Sequence, residues 1–150
     1  MCGLWGCPLT KIDFYFHVED KLRTACALSS KAYSRGLRVL AFCPDPDTSQ
    51  KLNRMLWTAT ALGFVPHCAA DDKLASVTPV IIDHDGTKLA HDQVLINLRT
   101  DWPPFFSRFQ RLIEIVSLAE DDRELARNRF KFYRDRGYDI RSHDMSRNAQ

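Results

Sequence analysis

The densest chemistry in this 150-residue chain lies between Arg123 and Arg136, where six basic residues stand against two acidic ones. At about 100° per residue, Arg123, Arg127, Phe130 and Arg134 share a helical arc of roughly 60°, with Lys131 beside it. Leu125, Ala126, Phe132 and Tyr133 are expected on the opposite, core-facing side. A basic stripe holding one aromatic ring has three physical uses. It can be a solvated face whose last-turn charges complement the helix dipole. It can bind nucleic acid, with arginines on phosphates and Phe130 on a base. It can also capture an acidic peptide, arginine taking the terminal carboxylate and an aromatic-lined pocket the last side chain. One helix face is narrow for tracking a nucleic-acid strand and suits a short peptide.

Trp57 is a second anomaly. On its helix Leu52, Met55, Leu56 and Ala59 cluster together, whereas Trp57 lies more than about 90° away, among Gln50, Asn53 and Arg54. An exposed tryptophan there implies a partner surface or a covering loop such as Leu62, Gly63 and Phe64.

Other constellations point to chemistry more weakly. The turn His17-Val18-Glu19-Asp20 has no glycine and carries two carboxylates, which disfavours a phosphate, and no G-x-x-x-x-G-K-[ST] motif occurs. Asp83, His84, Asp85, His91 and Asp92 are the richest polar cluster, but beside Gly86 they read as a solvated turn. Cys2 and Cys7 lack the second pair of ligands that a zinc site needs, and His67 and Cys68, adjacent on a strand, point to opposite faces. Cys26 and Cys43 read as small core residues. No catalytic residue, metal site or cofactor is expected.

Composition narrows the classes further. Lys+Arg 21 against Asp+Glu 19 gives a net charge of +2, too balanced for a surface that grips nucleic acid or anionic membrane everywhere. Five cysteines, an odd number at irregular positions, argue for a reducing, cytoplasmic compartment. The first residues lack the basic start of a signal peptide, and no run approaches the roughly 18 apolar residues of a membrane span.

The elements that must position these residues alternate. Strands are expected over Lys11–Val18, Leu37–Cys43, Val80–Asp83, Gln93–Leu98 and Leu112–Ala119, with a loop or short edge strand over Phe64–Ala70. Helices are expected after Glu19 and Asp20 up to Gly36, after Pro46, briefly within Trp102–Arg111, and over Asp121–Arg136, ended by Gly137. Strands apolar on both faces, alternating with helices, give an α/β class. The expected architecture is a single domain over residues 11–141. It has a mostly parallel sheet of about five strands with helices on both faces, Rossmann-like without a nucleotide-binding loop. Residues 1–10 read as a flexible extension and 142–150 as a polar, frayed tail.

The stretches KIDFYFHV, RGLRVLAFC, LNRMLWTATALGFVPH, QVLINL and ELARNRFKFYRDRGYDI follow one another through Lys11 to Ile140. In that combination the chain resembles the chi subunits of the bacterial DNA polymerase III holoenzyme, accessory proteins of its clamp loader. The resemblance implies a non-enzymatic adaptor that pairs with a psi-type subunit and binds the acidic C-terminal tail of single-stranded DNA-binding protein. DNA is then reached only indirectly, and the expected state is a monomer or a 1:1 heterodimer. By the same resemblance Arg127 holds the terminal carboxylate, and Arg123 and Lys131 draw in the acidic residues. Phe130, the turn at Gly137 and Val116 shape the pocket for the last ring. Trp57 and Phe64 match positions on the surface for the psi-type subunit. Phe130 stands where a tyrosine is often found, which loses a hydroxyl but keeps the ring, and Arg123 stands where lysine is common, which keeps the charge. The alternatives are a nucleotide- or metal-dependent enzyme centred on Asp83–Asp92, or direct single-stranded DNA binding through the Arg/Phe stripe.

Overall fold

The computed structural model describes residues 9–58 and 65–146. In order these form β1 (Lys11–Val18), α1 (Lys21–Ser34), β2 (Val39–Phe42), α2 (Pro46–Thr58), β3 (His67–Ala69), β4 (Val80–Asp83), β5 (Val94–Asn97), β6 (Arg111–Ser117), α3 (Glu120–Asp135) and β7 (Ile140–Asp144). Every residue of β2, β4 and β5 is buried. Such strands have no solvent face, which is the condition for a parallel sheet covered on both sides. The sheet runs β3-β4-β2-β5-β6-β1-β7, and all its pairings are parallel. All strand C-termini therefore share one edge, where open α/β sheets bind their ligands.

Local chemistry fixes the helix starts. The Asp20 carboxylate accepts from the Arg23 amide at 3.1 Å, and that of Asp45 from the Thr48 amide at 2.7 Å. Asp20 thereby takes up one of the amide donors that a phosphate would need after β1. Ala25 and Cys26 of α1 and Leu52 and Leu56 of α2 pack on one face of the sheet. Ala126 and Tyr133 of α3 pack on the other, together with Phe106 and Phe109.

The sheet is larger than the five strands the sequence suggested. The segment before Ala70 is an edge strand, and β7 was not anticipated at all. Ser142, His143 and Asp144, expected in the frayed tail, pair in parallel with Phe14, Tyr15 and Phe16. At the other end Thr10, assigned to the extension, is buried and donates its hydroxyl to the Phe109 carbonyl at 2.6 Å. The helix expected within Trp102–Arg111 is a single 3-10 turn at Phe106–Arg108, and Arg111 already belongs to β6. The polar side chains of the outer strand β7 give no apolar period to read.

The core-facing side of α3 also differs. Leu125 is 39% exposed, and Phe132 is half-buried, stacked between the Trp102 ring and the Arg136 guanidinium at 3.6 Å from each. The buried positions are Ala126, Arg129 and Tyr133. Arg129 is 1% exposed, and its Nε donates to Glu114 Oε1 on β6 at 3.0 Å. Tyr133 donates its hydroxyl to Glu114 Oε2 at 2.6 Å, and Asn97 Nδ2 reaches both oxygens at 3.1 Å. Arg129 Nη1 also donates to the Thr100 carbonyl at 2.6 Å, tying the loop after β5 to the helix. Burial pushes the Glu114 carboxyl up, and the guanidinium beside it and the donors from Tyr133 and Asn97 pull it back.

Removing one partner of such a pair strands a buried charge, which costs about 3–5 kcal/mol. Arg129→Ala is therefore expected to lose that much stability in urea unfolding, whereas Arg127→Ala, two residues away on the exposed side, changes it by less than about 0.5 kcal/mol. Equal losses for the two variants would contradict this placement of α3.

Candidate functional site

Where α3 crosses the C-terminal ends of β1 and β6, a groove of about 450 Å³ opens. Arg123, Ala126, Arg127, Phe130, Lys131 and Arg134 line it from α3, Val116 from β6, and Phe16 and His17 from β1. The helix repeat brings the α3 residues to one side, and the buried Arg129 fixes which side faces out. Phe130 leans on Phe14 with ring centres 5.2 Å apart, and Phe16 stacks on Phe14 at 5.7 Å. The floor is thus apolar and the rim cationic. Arg123 meets Glu120 at 3.5 Å and Arg134 meets Asp135 at 3.6 Å, exposed pairs of small worth. Arg127 and Lys131 make no ion pair among the described residues.

Gly137 is not among the groove's lining residues; at φ 85 it ends α3, in the left-handed region that glycine adopts without cost. Phe16 and His17 are lining residues that sequence reasoning did not place, and Ala126, expected on the opposite face of the helix, lines the groove as well. Tyr15 pairs with Ile115 and Val18 with Ser117, so β1 carries one residue more than β6 over this stretch. That bulge, with His17 at φ 61, breaks the alternation: Phe16 belongs to the α3 side and Val18 to the α1 side. A strand read at period two puts His17 on the wrong face.

A second cavity of about 660 Å³ lies along the same sheet edge, between α2, β3 and the end of β4. Trp57 lines it, 58% exposed, with its ring edge-on to His67 at 5.1 Å. Its charged rim is acidic, with Asp71, Asp72, Asp83 and Asp85 against Lys88. The two cavities therefore have opposite sign. Phe64 lies outside the described residues, as do Leu62, Gly63, Cys2 and Cys7.

The polar cluster at 83–92 is dispersed. β4 and β5 are not neighbours, because β2 runs between them, so their connection is not a hairpin. Asp83 accepts from the Gly86 amide at 2.9 Å, Asp85 from the Thr87 amide at 3.0 Å, and buried His91 donates from Nε2 to the Thr78 carbonyl at 2.7 Å. Gly86 has φ 74, and a Cβ there would stand 2.7 Å from Phe105. Among the described residues no three His, Cys, Asp or Glu side chains are grouped to hold a metal.

The sequence model of the family described as "DNA polymerase III chi subunit, HolC" matches residues 9–141. The chain belongs to this family. DNA polymerase III subunit chi of Pseudomonas aeruginosa is 32% identical to it over 143 residues, spanning 93% of this chain and 99% of its own. The Escherichia coli subunit chi is 30% identical over 132 residues, covering 87% and 88%. The C-terminal domain of the DEAD-box protein Dbp5 superposes with a TM-score of 0.64 over 91% of each chain at 11% identity, a likeness of fold alone. Membership of the chi family places the protein in DNA replication, among the subunits of DNA polymerase III. Among the described residues no helix is long and apolar enough to cross a membrane.

The buried cysteines of this chi-family fold are not nucleophiles. Burial pushes the thiols of Cys26 and Cys43 up to about 11, so at pH 8 only about one in a thousand is thiolate. Residue-resolved alkylation at pH 8 is expected to spare both in the native protein and to modify both in urea; rapid native labelling of either would contradict their burial.

Proposed function

We propose that this chi-family protein is a non-catalytic adaptor that captures the acidic C-terminal tail of single-stranded DNA-binding protein in the α3 groove. The observation that carries the reading is the pairing of uncompensated cations, Arg127 and Lys131, with an apolar floor of Phe16, Val116, Ala126 and Phe130. A chain ending in a hydrophobic ring and a free carboxylate presents the complementary features. Arg127 takes the carboxylate as a planar fork, and Arg123 and Lys131 attract the acidic residues upstream. Phe130 supplies ring contact without the hydroxyl of a tyrosine. The acidic rim of the Trp57 cavity repels such a tail, which leaves that surface for a psi-type subunit joining the protein to the clamp loader. Each tail contact is modest, and several tails on one DNA-bound protein raise the effective concentration of the loader. DNA is held through the partner.

Isothermal calorimetry with an acidic peptide ending in Pro-Phe tests the reading. Arg127→Ala is expected to abolish the binding heat, amidation of the peptide's C-terminus to weaken it at least ten-fold, and Trp57→Ala to leave it intact while weakening psi association. An unchanged titration for Arg127→Ala would overturn the assignment of the groove.

A further inference from the structure

The helices do not cover the sheet evenly. On one face α1 lies chiefly over β6 and β2, and α2 over β4 and β3, which leaves the outer strands β1 and β7 less covered there. Parallel register decides which side chains share this strip. Lys11 of β1 stands beside Arg111 of β6, Asp13 beside Arg141 of β7, and Tyr15 beside His143. Paired side chains point the same way, and Tyr15 packs on the α1-side core, so these residues all lie on the α1 side. Asp13 is buried with both oxygens engaged, one by Arg111 Nη1 and the other by His143 Nε2 at 3.1 Å. The second bond fixes the His143 ring, which stacks on Tyr15 with centres 4.4 Å apart and planes 15° from parallel. β7 is the edge of the sheet and the His143 side chain is 39% exposed, so the outward side of its ring faces no further strand.

Charge on this strip is one-sided. Lys11, Arg35 and Arg141 are exposed and make no ion pair among the described residues. Burial and then the Asp13 charge push the Tyr15 phenol up, and the Arg111 and Arg35 guanidinium charges pull it back, so Arg35 at the end of α1 acts on the same face. The flanking carboxylates are Asp139, just before β7, and Asp144, which pairs with Phe16 on the α3 side and bonds His17.

We propose that this strip is a direct contact for single-stranded DNA, in which phosphates meet Lys11, Arg35 and Arg141 and a base extends the Tyr15–His143 stack over the outer face of the imidazole. Cations beside an aromatic platform on an open sheet are what strand binding without sequence preference requires. Arg111, bonded to Asp13, helps to position the platform. The α3 groove opens on the other face of the sheet, so the two surfaces act independently. The occupant is DNA because the chain belongs to a family of DNA polymerase III subunits and because a stacked ring pair serves only a ligand with flat rings. A protein tethered beside a DNA strand needs only a weak contact of this kind, since tethering raises the effective concentration.

The test is fluorescence anisotropy of a labelled oligo-dT of about 20 nucleotides, titrated with the full chain between about 50 and 200 mM salt. The wild type is expected to bind, with affinity falling as salt rises. Lys11→Gln combined with Arg141→Gln is expected to weaken binding about ten-fold or more at the lower salt and to reduce the log-log salt slope by about 1.4, the share of two phosphate contacts. His143→Gln keeps a donor to Asp13 and removes the ring; it is expected to weaken binding about five-fold or more with the salt slope unchanged. Arg127→Ala is expected to bind the oligonucleotide as the wild type does, and the Lys11/Arg141 double variant to bind the Pro-Phe peptide as the wild type does. No binding of oligo-dT at the lower salt, wild-type affinity in the double variant or in His143→Gln, or a loss caused by Arg127→Ala would overturn this proposal while leaving the peptide assignment of the groove to its own titration. Polyglutamate that competes as well as unlabelled oligo-dT would mark the strip as a patch for any polyanion and overturn it too.

Discussion

The Arg129–Glu114 pair is the constraint from which the basic face of α3 follows. Strongly charged α3 buries few apolar side chains to set its rotation about its own axis, Ala126 and Tyr133 fully and Phe130 and Phe132 in part. Here rotation is set by one buried guanidinium that must meet one buried carboxylate, with Tyr133 and Asn97 completing the acceptor's partners. With Arg129 pointing inward, the 3.6-residue repeat carries Arg123, Arg127, Lys131 and Arg134 to positions roughly 120–160° away, toward solvent. Phe130 falls between, at about 100°, where its ring reaches the sheet. A buried ion pair is weak evidence for added stability, but its strict geometry specifies register. In α3 that register decides whether the basic residues form a groove or a scattered surface.

The sheet contributes the other half of the site. Parallel strands collect their C-termini on one edge, and two cavities of opposite charge open along it. Phe16 of β1 lines one of them, and the β-bulge at the end of that strand adds His17. The fold shares its layout with nucleotide-binding domains, yet Asp20 caps the first helix where such domains place a phosphate. The Arg23 amide at that helix start is spent on the cap, and the cations that line the groove are side chains of the last helix.

Much of this was legible in the sequence. The continuous apolar runs of β2, β4 and β5 can belong only to strands covered on both faces, which gives both the class and the parallel arrangement. The basic arc on α3 also came directly from the helical repeat, as did the exposed position of Trp57. What escaped has particular physical causes. β7, with the sequence IRSHD, is half solvated and carries no apolar alternation, so its pairing with β1 is decided by tertiary context. Arg129 reads as one more surface charge until its partner on β6, fifteen residues earlier, is known. His17 is turned by a bulge that no periodicity encodes. These omissions share a feature: each residue's role depends on a single distant partner rather than on a repeating pattern.

The central claim is that the α3 groove, and no other surface, receives an acidic peptide ending in an aromatic residue and a free carboxylate. Amide chemical-shift mapping of the isotope-labelled protein titrated with that peptide tests it most directly. The account predicts shifts confined to α3 from Arg123 to Arg134, to Phe16 and His17, and to Val116, saturating together as one site. Shifts clustered around Trp57, His67 and Asp83, or spread without saturation, would contradict it.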